Sequence, residues 1–185
     1  MDYLTIEELK RLQGNTEVAH PLSRLALLFS CYTGLQSADI ESVQFDHIHH
    51  AGAGLMIVKP QRNNNQPIRV PLGAMACDIF NQVRDIYINL PAKQQDGFLF
   101  HSIDREALSH DICDWAHKAG IERDIDITIG RATFCILALQ AGVGQEELSH
   151  WCGCSLQAIS KYKEVAAPLA DRDIDAFDAL FAPYL

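Results

Sequence analysis

Between His47 and Cys77 the helical pattern that runs through the rest of the chain is interrupted once. Two runs, Gly54–Lys59 and 67–72, are rich in aliphatic and β-branched residues and too short to be helices. The polar, Asn-rich residues 61–66 between them read as a hairpin loop. Elsewhere apolar residues recur at three- and four-residue spacing, bounded by helix start and stop signals. Thr5 followed by Glu8 is a capping box, Pro21 opens an apolar run that closes at Gly34, and Met75, Ile79, Val83 and Ile86 lie on one helical face. The pattern predicts helices over 5–13, 21–33, 37–43, 73–89, 105–119, 130–141, 144–152, 155–163 and 171–182, with 98–100 as a short extended piece. The expected fold class is mainly α (α+β), with one small antiparallel sheet, in a single domain over 1–185.

Composition narrows the functions open to such a chain. Its 48% hydrophobic and 21% charged residues are those of an ordinary globular domain. No apolar run approaches the roughly 20 residues that cross a bilayer, and the acidic, amphipathic N-terminus is not a signal peptide. Six cysteines without a C-x-x-C pair read as reduced, buried thiols in a cytoplasmic protein. The net charge of −9 excludes a broadly basic nucleic-acid surface, because duplex affinity rests largely on Lys and Arg at phosphates. Charge is nevertheless uneven. The segment from His47 to Cys77 contains no Asp or Glu but holds Lys59, Arg62 and Arg69, whereas 164–185 holds five acids and one base.

Four blocks carry a resemblance to a known family. They are FSCYTGLQSADI at 29–40, the hairpin ending IRVPL at 68–72 with Lys59 before it, ITIGRATF at 127–134, and LSHWCGCSLQAISKY at 148–162. In this order they resemble the boxes of tyrosine recombinases (phage integrases). The first is similar to the form found in Bacteroides-type integrases. The resemblance implies a recombinase catalytic-domain fold and DNA integration and recombination through a tyrosine nucleophile, without metal or other cofactor. In that chemistry a tyrosine attacks the scissile phosphate, forms a 3′-phosphotyrosyl bond and frees a 5′-hydroxyl, splitting one hard step into two. Arginines suit the charged transition state because a planar guanidinium binds two phosphate oxygens at once.

Carried over position by position, the resemblance implies that Tyr162 is the nucleophile, Arg131 the second arginine and Lys59 the hairpin lysine, with Arg62 as its substitute. Gln36 stands where the first arginine belongs, Thr128 where the first histidine belongs and Cys154 where the second histidine belongs. The site is therefore degenerate, and weak or absent strand cleavage is expected. Arg62, Arg69 and Lys161 are the expected DNA contacts, with weak, salt-sensitive binding to duplex DNA. The N-terminal core-binding domain usual in the family is not represented in 1–185. The alternative is a non-enzymatic pseudo-recombinase that binds DNA or oligomerises.

Several residues also have plainer readings. Arg131 competes as an ion-pair partner of Asp126 or Glu147, Lys59 as a solvated hairpin lysine, and Tyr162 as an ordinary residue of an amphipathic helix. His47, His49 and His50 sit in what reads as a loop, and His150, Cys152 and Cys154 crowd a helix end. Neither group is read as a metal site. Ile174, Phe177, Leu180 and Phe181 form an apolar face over 171–182 that packs on its own domain or docks on a second protomer, giving a homo-oligomer.

Overall fold

The computed structural model describes residues 1–18, 20–52, 54–60, 67–100 and 104–166. Arg62 and the helix expected over 171–182 lie outside the described residues. The first helix, α1 (Ile6–Gly14), starts as its sequence dictates. The Thr5 hydroxyl accepts from the Glu8 N–H at 3.2 Å, and the Glu8 carboxylate accepts from the Thr5 N–H at 2.8 Å. This reciprocal cap satisfies two of the donors that every helix start leaves open.

Two helices form the middle of the domain. α2 (Pro21–Thr33) is buried from Leu22 to Thr33 except for Arg24, and α6 (Ile129–Gln140) is buried from Ile129 through Ala138. A helix that is apolar all round has to be enclosed by others. α2 and α6 pack against each other closely enough that a Cβ on Gly130 would fall 2.1 Å from the Ser30 hydroxyl oxygen. Around them lie α1, α3 (Ser37–Ile40), α4 (Ala74–Ile88), α5 (Arg105–Lys118), α7 (Gln145–Cys152) and α8 (Leu156–Lys163).

The interruption in the helical pattern is a three-stranded antiparallel sheet in the order β1 (Ile48–Ala51), β2 (Gly54–Lys59), β3 (Ile68–Leu72). Ile57 faces Val70 and Lys59 faces Ile68 across the second ladder. Because side chains alternate along a strand, Ile57 and Lys59 share a face, and that face is buried. The first strand corrects the loop expected at 47–52, since Ile48 pairs with Ile57 and Ala51 with Gly54. Its side chains are mostly exposed, so it carries no alternation that a sequence reading can detect. α3 also stops at Ile40, short of Val43.

Candidate active site

The site is organised by the turn that ends α2. Gly34 adopts φ 69°, and a Cβ there would meet the Phe134 ring at 2.5 Å. The left-handed turn aims the Gly34 carbonyl at α6, where it accepts from Arg131 Nε at 2.7 Å. The rest of the Arg131 guanidinium faces Asp39 on α3, with Nη2 at 3.6 Å from Oδ2. The other Asp39 oxygen accepts from Lys59 Nζ at 2.8 Å. Asp39 also accepts from the Gln36 N–H at 3.3 Å. Arg131 and Lys59 are 9% and 6% exposed, so neither is a solvated surface cation. The ionic partner of Arg131 is Asp39 rather than Asp126 or Glu147, and Lys59 points inward from the sheet rather than into solvent.

Lys59, Asp39, Arg131, Gln36, Cys152 and Cys154 all line one cleft of about 340 Å³. The thiols are chemically unlike the charged groups. Cys152 Sγ lies 3.7 Å from Cys135 Sγ beneath the cleft. The hydrogen bond to Cys135 and burial push the Cys152 thiol well up, and the bond to Cys152 followed by burial does the same to Cys154. At neutral pH both are neutral, so Cys154 can neither carry the charge nor exchange the proton that an imidazole would.

Tyr162, on α8, is half-buried against the core and is not among the residues that line the cleft. Burial raises its phenol above the ordinary tyrosine value. The nearby Cys135 thiol adds to the rise, and Arg131 partly offsets it. Tyr162 thus lies within electrostatic reach of Arg131 and the thiols. Thr128 is turned elsewhere. Its N–H donates to Asp126 Oδ1 at 2.8 Å, its hydroxyl bonds the same oxygen, and it lines a second cavity with Asp124 and Asp126.

No family model and no curated protein matches the sequence. Solved structures match it throughout. XerA recombinase superposes with TM-score 0.71 at 17% identity, over 99% of this chain and 66% of that one. XerH site-specific recombinase bound to difH substrate, in a pre-cleavage complex, gives 0.71 at 16% identity, over 94% and 52%. A lambda integrase dimer bound to a COC′ core site gives 0.67 at 15%, over 92% and 50%. The chain has the tyrosine-recombinase catalytic-domain fold. It spans between half and two-thirds of the length of these structures.

Within this recombinase fold, four of the six positions singled out in sequence meet at one cleft: Lys59, Arg131, Gln36 and Cys154. Tyr162 stands beside it and Thr128 away from it. Arg69 on β3 and Lys161 on α8 are exposed. Sequence reasoning missed Asp39, the Gly34 carbonyl and the Cys135–Cys152 contact. Asp39 occupies the acidic position of the first block, but nothing in its neighbours announces partners on a strand and on another helix. His47 is occupied locally, with Nδ1 accepting from the Gln44 N–H at 3.0 Å. No helix among the described residues is long and apolar enough to cross a membrane.

Proposed function

We propose that this chain is the catalytic domain of a DNA recombinase or integrase whose strand-cleaving chemistry is impaired. The observation that carries this reading is the cleft that joins Lys59 and Arg131 in a recombinase fold. Two cations and one carboxylate there leave one net positive charge, enough to attract a phosphate. In the full reaction the Tyr162 hydroxyl loses its proton to solvent and its oxygen bonds phosphorus, the bond to the 5′-oxygen breaks, and Lys59 would give that departing oxygen a proton. Gln36 offers a hydrogen bond but no charge for the pentavalent phosphate. By analogy with loss of one oxyanion donor, this costs about 2.7–4 kcal/mol, roughly a hundred- to a thousandfold in rate.

A suicide DNA substrate that traps the covalent adduct tests this directly. The unmodified chain is expected to give little or no adduct. A robust Tyr162-dependent adduct would overturn the impairment. Gln36→Arg with Cys154→His is expected to raise adduct formation at least about a hundredfold. Adding Thr128→His contributes least, because that position faces Asp126.

A second reading, a non-enzymatic pseudo-recombinase that binds DNA or oligomerises, draws on Asp39, which already holds the ends of both cations. Mobility shifts on duplex DNA at two salt concentrations separate the two. Weak binding that fades with salt is expected from a net charge of −9 with local positive patches that include Arg62, Arg69 and Lys161. No shift at low salt and no gain on restoration would favour a pure interaction role. A cytoplasmic setting fits six free thiols. Self-association through 171–182 is the oligomeric mode we propose, and light scattering of the chain with and without 167–185 tests it.

A further inference from the structure

Away from the cleft, three different donor side chains converge at the end of α5. Cys113 and His117 are four residues apart and lie on one helix face. The chain then turns at Gly120 and runs back beside the helix. Ile121 donates to the Ala116 carbonyl at 2.9 Å, and Ile121 and Ile125 are buried. Between them, Arg123 ties the segment to α1 through the Tyr3 carbonyl at 2.8 Å and the Glu8 carboxylate at 3.0 Å. Asp124 is therefore held from both sides, and its carboxylate returns to Cys113 and His117.

Two of the three distances within this cluster are those of a coordination shell. Asp124 Oδ1 lies 3.3 Å from Cys113 Sγ and 3.2 Å from His117 Nε2. All three donor atoms lie within 4.8 Å of one another. A tetrahedral zinc ion with bonds of about 2.3 Å to sulfur and about 2.0 Å to nitrogen and oxygen separates neighbouring ligands by roughly 3.3–3.5 Å. Thiolate, imidazole and carboxylate are also the donor types that a borderline-soft divalent cation accepts. Among the described residues this is the one group of three potential ligands so placed. It borders the second cavity, about 560 Å³, where among the described residues no Lys or Arg lines the wall and the carboxylates of Asp2, Asp124 and Asp126 outnumber the single Met1 ammonium. The local field therefore favours a cation.

We propose that Cys113, His117 and Asp124 bind one zinc-type divalent cation, with solvent in the fourth position. The ion clamps α5 to the 121–126 connection that leads into α6 and Arg131. It would take the place of the weak S–H donation from Cys113 to Asp124 and release the thiol proton to solvent.

Cobalt(II) reports such a site because a thiolate ligand gives a charge-transfer band and four-coordination gives visible bands. Added to the reduced 185-residue chain without oxygen, Co²⁺ is expected to produce both, saturating at one equivalent and displaced by Zn²⁺. Cys113→Ser is expected to abolish the charge-transfer band. His117→Ala and the exposed-residue change Asp124→Asn are each expected to weaken Co²⁺ binding at least about tenfold. Circular dichroism of each variant controls for folding. No charge-transfer band in the unmodified chain overturns the proposal. So does a band that survives Cys113→Ser in full, which would assign the metal to the Cys135, Cys152 and Cys154 thiols.

Discussion

In the lining of the cleft Lys59, Asp39 and Arg131 form a charged wall, each within 3.6 Å of the next, with the lysine and arginine buried and the aspartate partly exposed. In the same lining Cys152 and Cys154 form a wall of neutral thiols, with Cys135 behind Cys152. The charged wall is over-determined by the fold. Its lysine is set by sheet register, its arginine by the Gly34 carbonyl and its aspartate by the short helix after Leu35. In the thiol wall Cys152 is buried and Cys154 partly so, and hydrogen bonds to neighbouring thiols, followed by burial, keep both uncharged. A phosphate site needs fixed charge as well as proton exchange. The charged wall supplies the first. The thiol wall withholds the second. On the function proposed above, a scaffold able to hold an anion coexists with poor machinery for moving protons around it.

The largest expected effect comes from cutting the charged wall at its centre. Asp39→Ala leaves two buried cations unpaired and should cost about 3–5 kcal/mol in urea denaturation. A loss below about 1 kcal/mol would show these charges behaving as a surface pair, and the contrast between the walls would fail. Next comes the turn that joins the walls. Gly34→Ala places a methyl group against the Phe134 ring at a backbone angle unfavourable to alanine, for an expected loss of roughly 1–3 kcal/mol.

An ion pair outside the cleft sharpens the scale. Glu8 is nearly buried, but Arg123 is 40% exposed in its side chain, so Glu8→Gln, which keeps a side-chain oxygen for the cap, should cost less, about 1 kcal/mol. Burial pushes the Glu8 carboxyl up, but Arg123 and the Thr5 contacts outweigh it and hold the group below 4.5. A carboxylate with a depressed folded value stabilises above the unfolded value and loses that contribution as pH falls through the folded one. The difference between wild type and Glu8→Gln is therefore expected to shrink below about pH 4.5 in pH-dependent denaturation. A constant difference would refute the assignment to ionised Glu8.

The smallest effect belongs to the tyrosine itself. Tyr162→Phe should change stability by no more than about 0.5 kcal/mol at pH 7. Its raised phenol ionises more readily in the unfolded chain, so wild type should lose stability faster than Tyr162→Phe above about pH 10. Equal losses in that range would place the phenol in ordinary solvent.

Much of this was legible beforehand where the signal is local. The capping box at Thr5, the stop at Gly34, the pairing of Gly54–Lys59 with the strand ending at Leu72 and the helices that carry Arg131 and Tyr162 all follow from neighbouring residues. β1 was not, because an exposed edge strand of His and Ala has no apolar alternation. Thr128 was placed three residues from Arg131, yet Asp126 draws it to another cavity, and no spacing rule encodes that hydrogen bond.

The amino-acid sequence alone determined the mainly helical class and the single small sheet, because helix periodicity, caps and turn chemistry act within a few residues, whereas the candidate positions came from the resemblance of four sequence blocks to a known family. Only the tertiary structure decided what those positions are to one another. Lys59 became a buried cation because strand register turned it inward. Asp39 became its partner because α3 and the sheet meet, and Arg131 was fixed by a carbonyl 97 positions away in the chain. Such contacts depend on how elements pack, and packing joins residues that no local pattern links.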